Sequence, residues 1–171
     1  MLPRRDRFNT EERRPYCAEK TSHSPRRRRF RWSRLTAMSE IPAPTVWPAL
    51  RYNDAPTAIQ FLVDVLGFTE TLVVTGPNGS IAHAELRWPE GGAVMLGSTS
   101  YPADGVHDAM RPGSSAVYVV SDHVDAIHAK AVAAGAEITA KLHDTDFGSH
   151  IFSLRDTEGN AWTIGTYRGA P

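Results

Sequence analysis

Apolar residues along positions 46–98 follow two different periods, and each period predicts one kind of element. An amphipathic helix is predicted from a stripe at helical spacing, formed by Ala58, Phe61, Leu62, Val65 and Leu66. Asp54 precedes this stripe as a predicted N-cap, and Gly67 follows it as the left-handed residue that ends a helix. Short or alternating apolar runs predict four strands, at 46–52, 68–75, 81–88 and 93–98.

The second half of the chain repeats this order at an offset of 68 positions. The stretch LRWPEGGAVMLGS at 86–98 returns as LRDTEGNAWTIGT at 154–166, with Glu90 matched by Glu158. Upstream, Asp54 matches Asp122 and Gly67 matches Gly135, so Asp122 is predicted to cap a second helix. The second set of strands is predicted at 115–121, roughly 136–140, 149–155 and 160–167.

Each half is therefore a βαβββ module, and the chain is predicted to be an α+β protein. One four-stranded sheet with one helix buries only one of its faces well, so two modules in tandem share the burial of apolar surface. We expect modules at 46–98 and 115–168, a linker at 99–114, and a curved mixed sheet. The helices would lie on its convex side and leave a concave cleft inside.

Charge divides the chain into a basic segment and an acidic domain. Residues 1–37 carry twelve Arg and Lys against four Asp and Glu, a net +8, whereas residues 38–171 carry seven against fifteen, a net −8. The first segment has no apolar periodicity and predicts a disordered tail. A nucleic-acid-binding arm is the alternative for it, and an upstream mis-assigned start, with Met38 as the natural one, is the preferred interpretation. The only cysteine, Cys17, lies there.

The order D…A-I…L-G-F, I-A-H-A-E-L and D-x-E-G-N-x-W resembles the vicinal oxygen chelate superfamily over residues 45–168. That superfamily includes glyoxalase I, extradiol dioxygenases, fosfomycin-resistance proteins and bleomycin-binding proteins. The elements IAHAEL at 81–86 and AIQFLVDVLGF at 58–68 are most similar to the glyoxalase-related PhnB-like group. The resemblance implies the glyoxalase/bleomycin resistance/dihydroxybiphenyl dioxygenase fold, but one fold hosts several chemistries.

The resemblance also implies four cleft positions that hold a metal ion in the metal-dependent members. Counting from the helix caps and the E-G turns places them at Trp47, Met95, Ser115 and Thr163. None of these is a strong ligand for Zn²⁺, Ni²⁺, Fe²⁺ or Mn²⁺, which prefer imidazole or carboxylate in such sites. The sequence therefore predicts a metal-free cleft without a cofactor, and leaves open a divalent metal bound by other residues.

Strand alternation predicts further cleft residues. Arg51, Val117, Val119, Gly97, Gly165 and Tyr167 would share the face of the four positions above. On the third strand Ala82, Ala84 and Leu86 would pack under the helix, which turns His83, Glu85 and Arg87 inward. A His beside a Glu is suited to general-base catalysis or to supplying two metal ligands. The alternative is a hydrogen-bonded network of His83, Glu85 and Arg51 at the cleft floor or a dimer seam.

These features predict a homodimeric small-molecule-binding protein. The expected ligand-binding residues are Trp47, Arg51, Met95, Ser115, Thr163 and Tyr167, and His83 and Glu85 are the candidate catalytic pair. The alternatives are a lyase or isomerase of the glyoxalase type and a non-catalytic interaction subunit. The acidic domain favours a cationic ligand and the aromatic residues favour a flat one, as in the bleomycin binders, which are similarly acidic, metal-free and dimeric. No apolar run is long enough to span a membrane, so we expect a cytoplasmic protein without nucleic-acid or membrane partners.

Overall fold

A computed structural model describes residues 43–103 and 105–170 of the chain. The predictions for the tail at 1–37 lie outside the described residues. The first module contains β1 (Ala49–Tyr52), α1 (Ala55–Phe61) continued by a π-helix (Leu62–Leu66), β2 (Thr69–Thr75), β3 (Ile81–Arg87) and β4 (Ala93–Ser98). The second contains β5 (Ala116–Val120), α2 (Val124–Ala133), β6 (Glu137–Asp144), β7 (His150–Arg155) and β8 (Ala161–Gly165). Short 3₁₀ turns occur at Pro77–Gly79 and Gly105–His107.

Each module forms one mixed four-stranded sheet. The strand orders are β1-β4-β3-β2 and β5-β8-β7-β6, with the first two strands of each order parallel and the other pairs antiparallel. The tandem βαβββ organisation and the α+β class are therefore confirmed. Helix α1 contacts β1 and β4, and α2 contacts β6 and β7, so each helix covers one face of its own sheet.

The ends of the first helix follow the sequence prediction. The carboxylate of Asp54 accepts a hydrogen bond from the Thr57 backbone N–H at 3.2 Å, and bonds from Thr57 hold the pKa of Asp54 below its usual value. Gly67 has φ of +97°, a left-handed conformation that is energetically unfavourable for a residue with a Cβ. The π-helix between them is absent from the sequence prediction.

The π-helix changes the alignment of the two modules. Helices α1 and α2 begin at Ala55 and Val124, which are 69 positions apart, whereas Gly67 and Gly135 are 68 apart. The first module therefore holds one extra residue inside its helix, and a π-turn accommodates one such residue. The match of Asp54 with Asp122 was consequently misleading. Asp122 as the second N-cap is wrong, because that position belongs to His123, whose side chain makes no capping bond.

The same one-residue difference changes the faces of β5. Tyr118 is the register partner of Thr163, and Val119 is the partner of the buried Ile164. Val119 is only 6 % exposed and Val117 packs against the core, so the prediction that these valines face the cleft is wrong. A shift of one residue exchanges the two faces of a strand. Strand β6 spans eight residues, Glu137–Asp144, and is longer than the strand predicted at roughly 136–140.

The two modules share one apolar core. The Phe68 ring lies 5.0 Å from the Trp88 ring and 5.7 Å from the Trp162 ring, and both tryptophans are buried. Between the modules, the Trp88 indole N–H donates to the Val120 carbonyl at 2.8 Å. The buried Tyr52 hydroxyl donates to Asp156 at 2.7 Å, and burial first, then the Asp156 carboxylate, raise the Tyr52 pKa far above its usual value.

The repeated E-G turns connect the modules reciprocally. The Glu158 carboxylate accepts from the backbone N–H groups of Asn53 at 2.8 Å and Asp54 at 2.6 Å. The Glu90 carboxylate accepts from the Asp122 N–H at 3.0 Å and the Ser121 hydroxyl at 2.6 Å. Each turn therefore binds the strand–helix junction of the other module, which explains why the chain contains this turn twice. In the described ranges, no helix is long and apolar enough to cross a membrane.

Candidate functional site

The face of the first sheet that α1 leaves uncovered carries the chemistry-bearing side chains, and we refer to it as the first open face. Leu50, Leu96, Ala84 and Leu86 are buried on the helix side of the sheet. Their neighbours therefore project to the other side, where β1, β3 and β4 contribute Arg51, His83, Glu85, Arg87 and Met95. Register places Met95 beside both Ala49 and Glu85, and Gly97 beside Arg51.

A pocket of about 200 Å³ lies on the first open face around Arg51. Strand residues form its floor, and the start of the linker forms one wall. Its lining consists of Ala49, Leu50, Arg51, Ala82, His83, Met95, Leu96, Gly97, Pro102, Ala103 and His107. All of these belong to the first module or the linker, so the pocket is built without the second sheet.

Arg51 lines this pocket and is buried, with 8 % of its surface exposed. One guanidinium nitrogen, Nη2, donates to the Tyr101 carbonyl at 2.8 Å, and the buried Nε has no hydrogen-bond partner. Gly97 lies directly beside this side chain. A Cβ built on Gly97 would lie 3.4 Å from Arg51 Nη1 and 3.2 Å from the Ala82 carbonyl oxygen.

His83 and Glu85 form a side-chain pair on β3. His83 Nε2 lies 3.2 Å from Glu85 Oε1, and the two side chains are 40 % and 32 % exposed. Only His83 of the two lines the pocket. The pair is open to solvent on one side, so an incoming ligand has access to both polar groups.

Trp47 lies at the entrance to β1, beside the first open face. Its indole N–H donates to the Pro44 carbonyl at 3.1 Å, and the Arg87 guanidinium carbon lies 5.6 Å from its ring centroid. This is cation–π geometry. Trp47 does not line the Arg51 pocket.

The remaining predicted residues lie on the uncovered face or at the ends of the second sheet. The Thr163 hydroxyl is 2.8 Å from that of Ser153, and Tyr167 stacks edge-on against Phe147 at 5.8 Å. Ser115 precedes β5, where its N–H donates to Asn160 at 3.2 Å. The structure thus brings Arg51, His83 and Met95 into one pocket, with Glu85 adjacent. It places Ser115, Thr163 and Tyr167 in the second module.

The donor set does not fit the metal site that the family resemblance implies. Among residues 43–103 and 105–170, no group of three or more His, Cys, Asp or Glu side chains is arranged to hold an ion. Trp47, Met95, Ser115 and Thr163 offer no imidazole or carboxylate. His83 and Glu85 supply two donors, fewer than the three protein ligands of a typical catalytic zinc site.

Sequence reasoning missed two parts of this region. Tyr118 lies on the uncovered face of the second sheet, where its hydroxyl is 3.4 Å from Ser149 and accepts from the Tyr167 N–H at 3.2 Å. The 69-position spacing of the helix starts was the signal for it. The linker residues Pro102, Ala103 and His107 wall the pocket, and their stretch has no periodicity from which this could be predicted.

Comparison with known proteins places the chain among relatives of unknown activity. A sequence model described as the Glyoxalase/Bleomycin resistance protein/Dioxygenase superfamily matches residues 45–164. An uncharacterized protein of Mycobacterium bovis is 33 % identical over 127 residues, which cover 71 % of this chain and 82 % of that one. An uncharacterized protein of Mycobacterium tuberculosis is also 33 % identical over 127 residues, which cover 71 % of this chain and 74 % of that one.

Solved structures give the same fold. TioX from Micromonospora is 31 % identical, with a TM-score of 0.59 over 72 % of this chain and 97 % of that one. A lactoylglutathione lyase from Agrobacterium tumefaciens is 19 % identical, with a TM-score of 0.56 over 72 % and 93 %. The lyase supports the fold alone. Given the match over residues 45–164 and the two βαβββ modules, the chain belongs to the glyoxalase/bleomycin resistance protein/dioxygenase superfamily.

Proposed function

We propose that the protein binds a small molecule in the pocket around Arg51, without a metal cofactor. The observation that carries this proposal is the pocket itself, which a buried arginine and mostly apolar residues line. A concave apolar site with few polar groups is the usual form of a small-molecule site. Within residues 43–103 and 105–170 no donor set fits a metal ion, which supports binding through side chains alone.

Titration of the full chain with small aromatic molecules, followed by two-dimensional NMR, tests this proposal. Binding is expected to shift the amide signals of Ala49, Ala82, His83 and Gly97, which surround the pocket. Met95→Trp is the matched variant, because a bulky ring on the pocket floor would fill the space. A ligand that shifts only the signals of the second sheet would overturn the assignment of the pocket.

A homodimer belongs to the same proposal. The first open face ends at the edge strand β2, where Leu72 and Val74 are exposed beside Glu85 and His83 in the register. A second copy covering this edge would bury both apolar side chains and enclose the pocket further. Sedimentation equilibrium should give twice the chain mass, and Leu72→Glu with Val74→Glu should give the monomer. A monomeric wild-type protein at all concentrations would contradict this part.

A lyase or isomerase of the glyoxalase type is the second candidate, and the His83–Glu85 pair favours it. The 3.2 Å contact lets Glu85 orient the imidazole, so that His83 could take a proton from a carbon next to a carbonyl. Turnover of glutathione hemithioacetals tests this candidate. Glu85→Gln and His83→Asn are each expected to reduce kcat about a hundredfold or more, with ligand affinity kept. Unchanged turnover in both variants would exclude the pair from catalysis.

A further inference from the structure

The Arg51 pocket contains a positive charge, whereas the domain around it carries a net negative charge. Arg51 is more than nine-tenths buried, and no carboxylate oxygen of the described residues lies within 4.0 Å of its guanidinium nitrogens. Its only hydrogen bond among those residues goes to a neutral carbonyl, that of Tyr101. Nε is buried with no hydrogen-bond partner. The described residues therefore give the guanidinium in this pocket no counter-charge.

A buried charge without an opposite charge is unfavourable, because the protein interior solvates it less well than water does. Arginine stays protonated in proteins, so it cannot avoid this cost by losing its proton. Most buried arginines are accordingly paired with a carboxylate of their own chain. Here Arg51 lines a pocket, and an anionic group of a ligand in that pocket would supply the missing charge.

At contact distance, the charge of Arg51 affects a bound ligand more strongly than the net charge of the domain does. Residues 38–171 carry a net −8, which favours cations as they approach. That diffuse field is screened over about 8 Å at physiological salt, whereas a buried pair is screened much less. On the first open face Arg51 and Arg87 outnumber Glu85, and Glu85 lies beside His83. An anion in the pocket would therefore meet a positive contact surface.

The rest of the pocket defines the body of the ligand. Ala49, Met95 and Pro102 offer apolar surface in the same pocket. The volume of about 200 Å³ compares with about 150 Å³ for an engineered apolar cavity that admits benzene. A single ring or a short branched chain fits this space. The planar fork of arginine pairs with carboxylate and phosphate oxygens through two parallel hydrogen bonds.

We infer that the Arg51 pocket recognises a small organic oxyanion, with Arg51 binding the anionic group and the Met95 side of the pocket holding an apolar body of about one ring. This inference rests on the proposed binding function and names its ligand class. It reverses the preference for a cationic ligand that the net charge of the domain favours. Gly97 borders the anion-binding group, because a Cβ built there would lie 3.4 Å from Arg51 Nη1.

Four probes of one shape test the inference on the full chain. Benzoate and phenylphosphonate carry the anion, benzamide is the neutral analogue, and benzylammonium is the cation. Calorimetry should show benzoate or phenylphosphonate binding about tenfold or more tightly than benzamide, and benzylammonium weakest. The ratio of benzoate to phenylphosphonate distinguishes a carboxylate site from a phosphate or phosphonate site. Equal affinity for benzamide and benzoate would overturn the inference.

Arg51→Met is the decisive variant, and Arg87→Met is its control. Both remove one positive charge from the first open face, but Arg87 does not line the pocket. Arg51→Met should lose about ten- to a hundredfold in benzoate affinity, and Arg87→Met less than about threefold. Equal losses in the two variants would mean that only the general field matters, and would overturn the inference.

Two further variants keep the test valid if Arg51→Met does not fold. Arg51→Lys keeps the charge but not the planar fork, so benzoate affinity should fall while remaining above that of benzamide. Gly97→Ala places a methyl group against the guanidinium and should weaken benzoate while leaving the net charge unchanged. If benzamide binds in the pocket and none of these variants affects benzoate, the anion assignment fails and the binding function stands. If no probe shifts any pocket signal, both fail.

Discussion

His150 is the side chain in the described residues whose protonation should couple most directly to stability near neutral pH. Its Nδ1 lies 2.6 Å from Asp144 and its Nε2 lies 3.5 Å from Asp125, so the imidazole bridges β6 and the first turn of α2. The hydrogen bond with Asp144 raises the pKa of His150 above 6.5, with a smaller contribution from Asp125 that opposes the effect of burial. The charged form is therefore favoured in the folded state.

Replacement of His150 by Gln should change the pH dependence of stability. A raised folded-state pKa gives a stabilisation that is fully present below the unfolded pKa of about 6.5 and is lost as pH rises through the folded value. The difference in Tm between wild type and His150→Gln should be largest near pH 6 and shrink toward pH 8. Thermal unfolding at half-unit pH intervals measures it.

Asp144→Asn is the matched control for this effect, because it leaves the imidazole in place and removes its strongest partner. NMR titration of that variant should show a lower His150 pKa than in the wild type. A Tm difference that is constant between pH 6 and pH 8 would mean that His150 acts through packing or neutral hydrogen bonds rather than through its charge.

The π-helix is the element that distinguishes the two modules. Residues Leu62–Leu66 hold the one extra residue of the first module, and the Gly67 N–H bonds back to Leu62 across five positions. Such a turn lets a helix absorb an insertion without rotating everything that follows it. Leu62 and Leu66 are both buried, so the apolar side chains on either side of the extra residue reach the same core.

Deletion of the exposed Asp64 should therefore be tolerated. The helix would close as an ordinary α-helix of the length seen in the second module, and the chain would still reach Gly67 in the same position. We expect a folded protein destabilised by about 1–2 kcal/mol, within the usual range for a single change. Urea unfolding measures this.

Deletion of Lys130 is the comparison, because Lys130 is also exposed but α2 contains no π-turn. Removing it rotates the following turn by about 100° and takes Ala131 off the buried face. This variant should be much less stable than the Asp64 deletion. If the two deletions are equally destabilising, the π-helix is not a compensated insertion.

Much of the fold could be predicted because its signals are local. The stripe before Gly67, the cap at Asp54 and the E-G turns each determine their own surroundings, and all three were confirmed. Which face of β5 is buried was predicted from the residue offset between the two modules. The one extra residue in the π-helix changes that offset and so reversed the prediction. The contacts that the linker makes with Arg51, such as that of the Tyr101 carbonyl, could not be predicted, because the linker has no sequence period.

At the scale of the whole molecule, Glu90 and Glu158 make each module dependent on the other. Each carboxylate accepts two hydrogen bonds from the junction between the first strand and the helix of the opposite module. The tryptophans on either side of Phe68 connect the same two modules through the core. Neither module completes its helix start without the other, so we expect residues 43–170 to unfold as one cooperative unit.

Glu158→Gln should destabilise the entire domain rather than one module. The substitution replaces one acceptor oxygen by an amide N–H that faces a backbone N–H, at a cost of about 1–2 kcal/mol. Glu137→Gln is the control, because its 3.9 Å contact with the exposed Arg155 should contribute less than about 1 kcal/mol.

Tryptophan fluorescence follows the shared core and circular dichroism follows both sheets. In Glu158→Gln their urea transitions should shift together and remain superimposable, because losing one module's helix start removes the packing partner of the other. Separation into two transitions would show that the modules fold independently and that the repeated turns are local features.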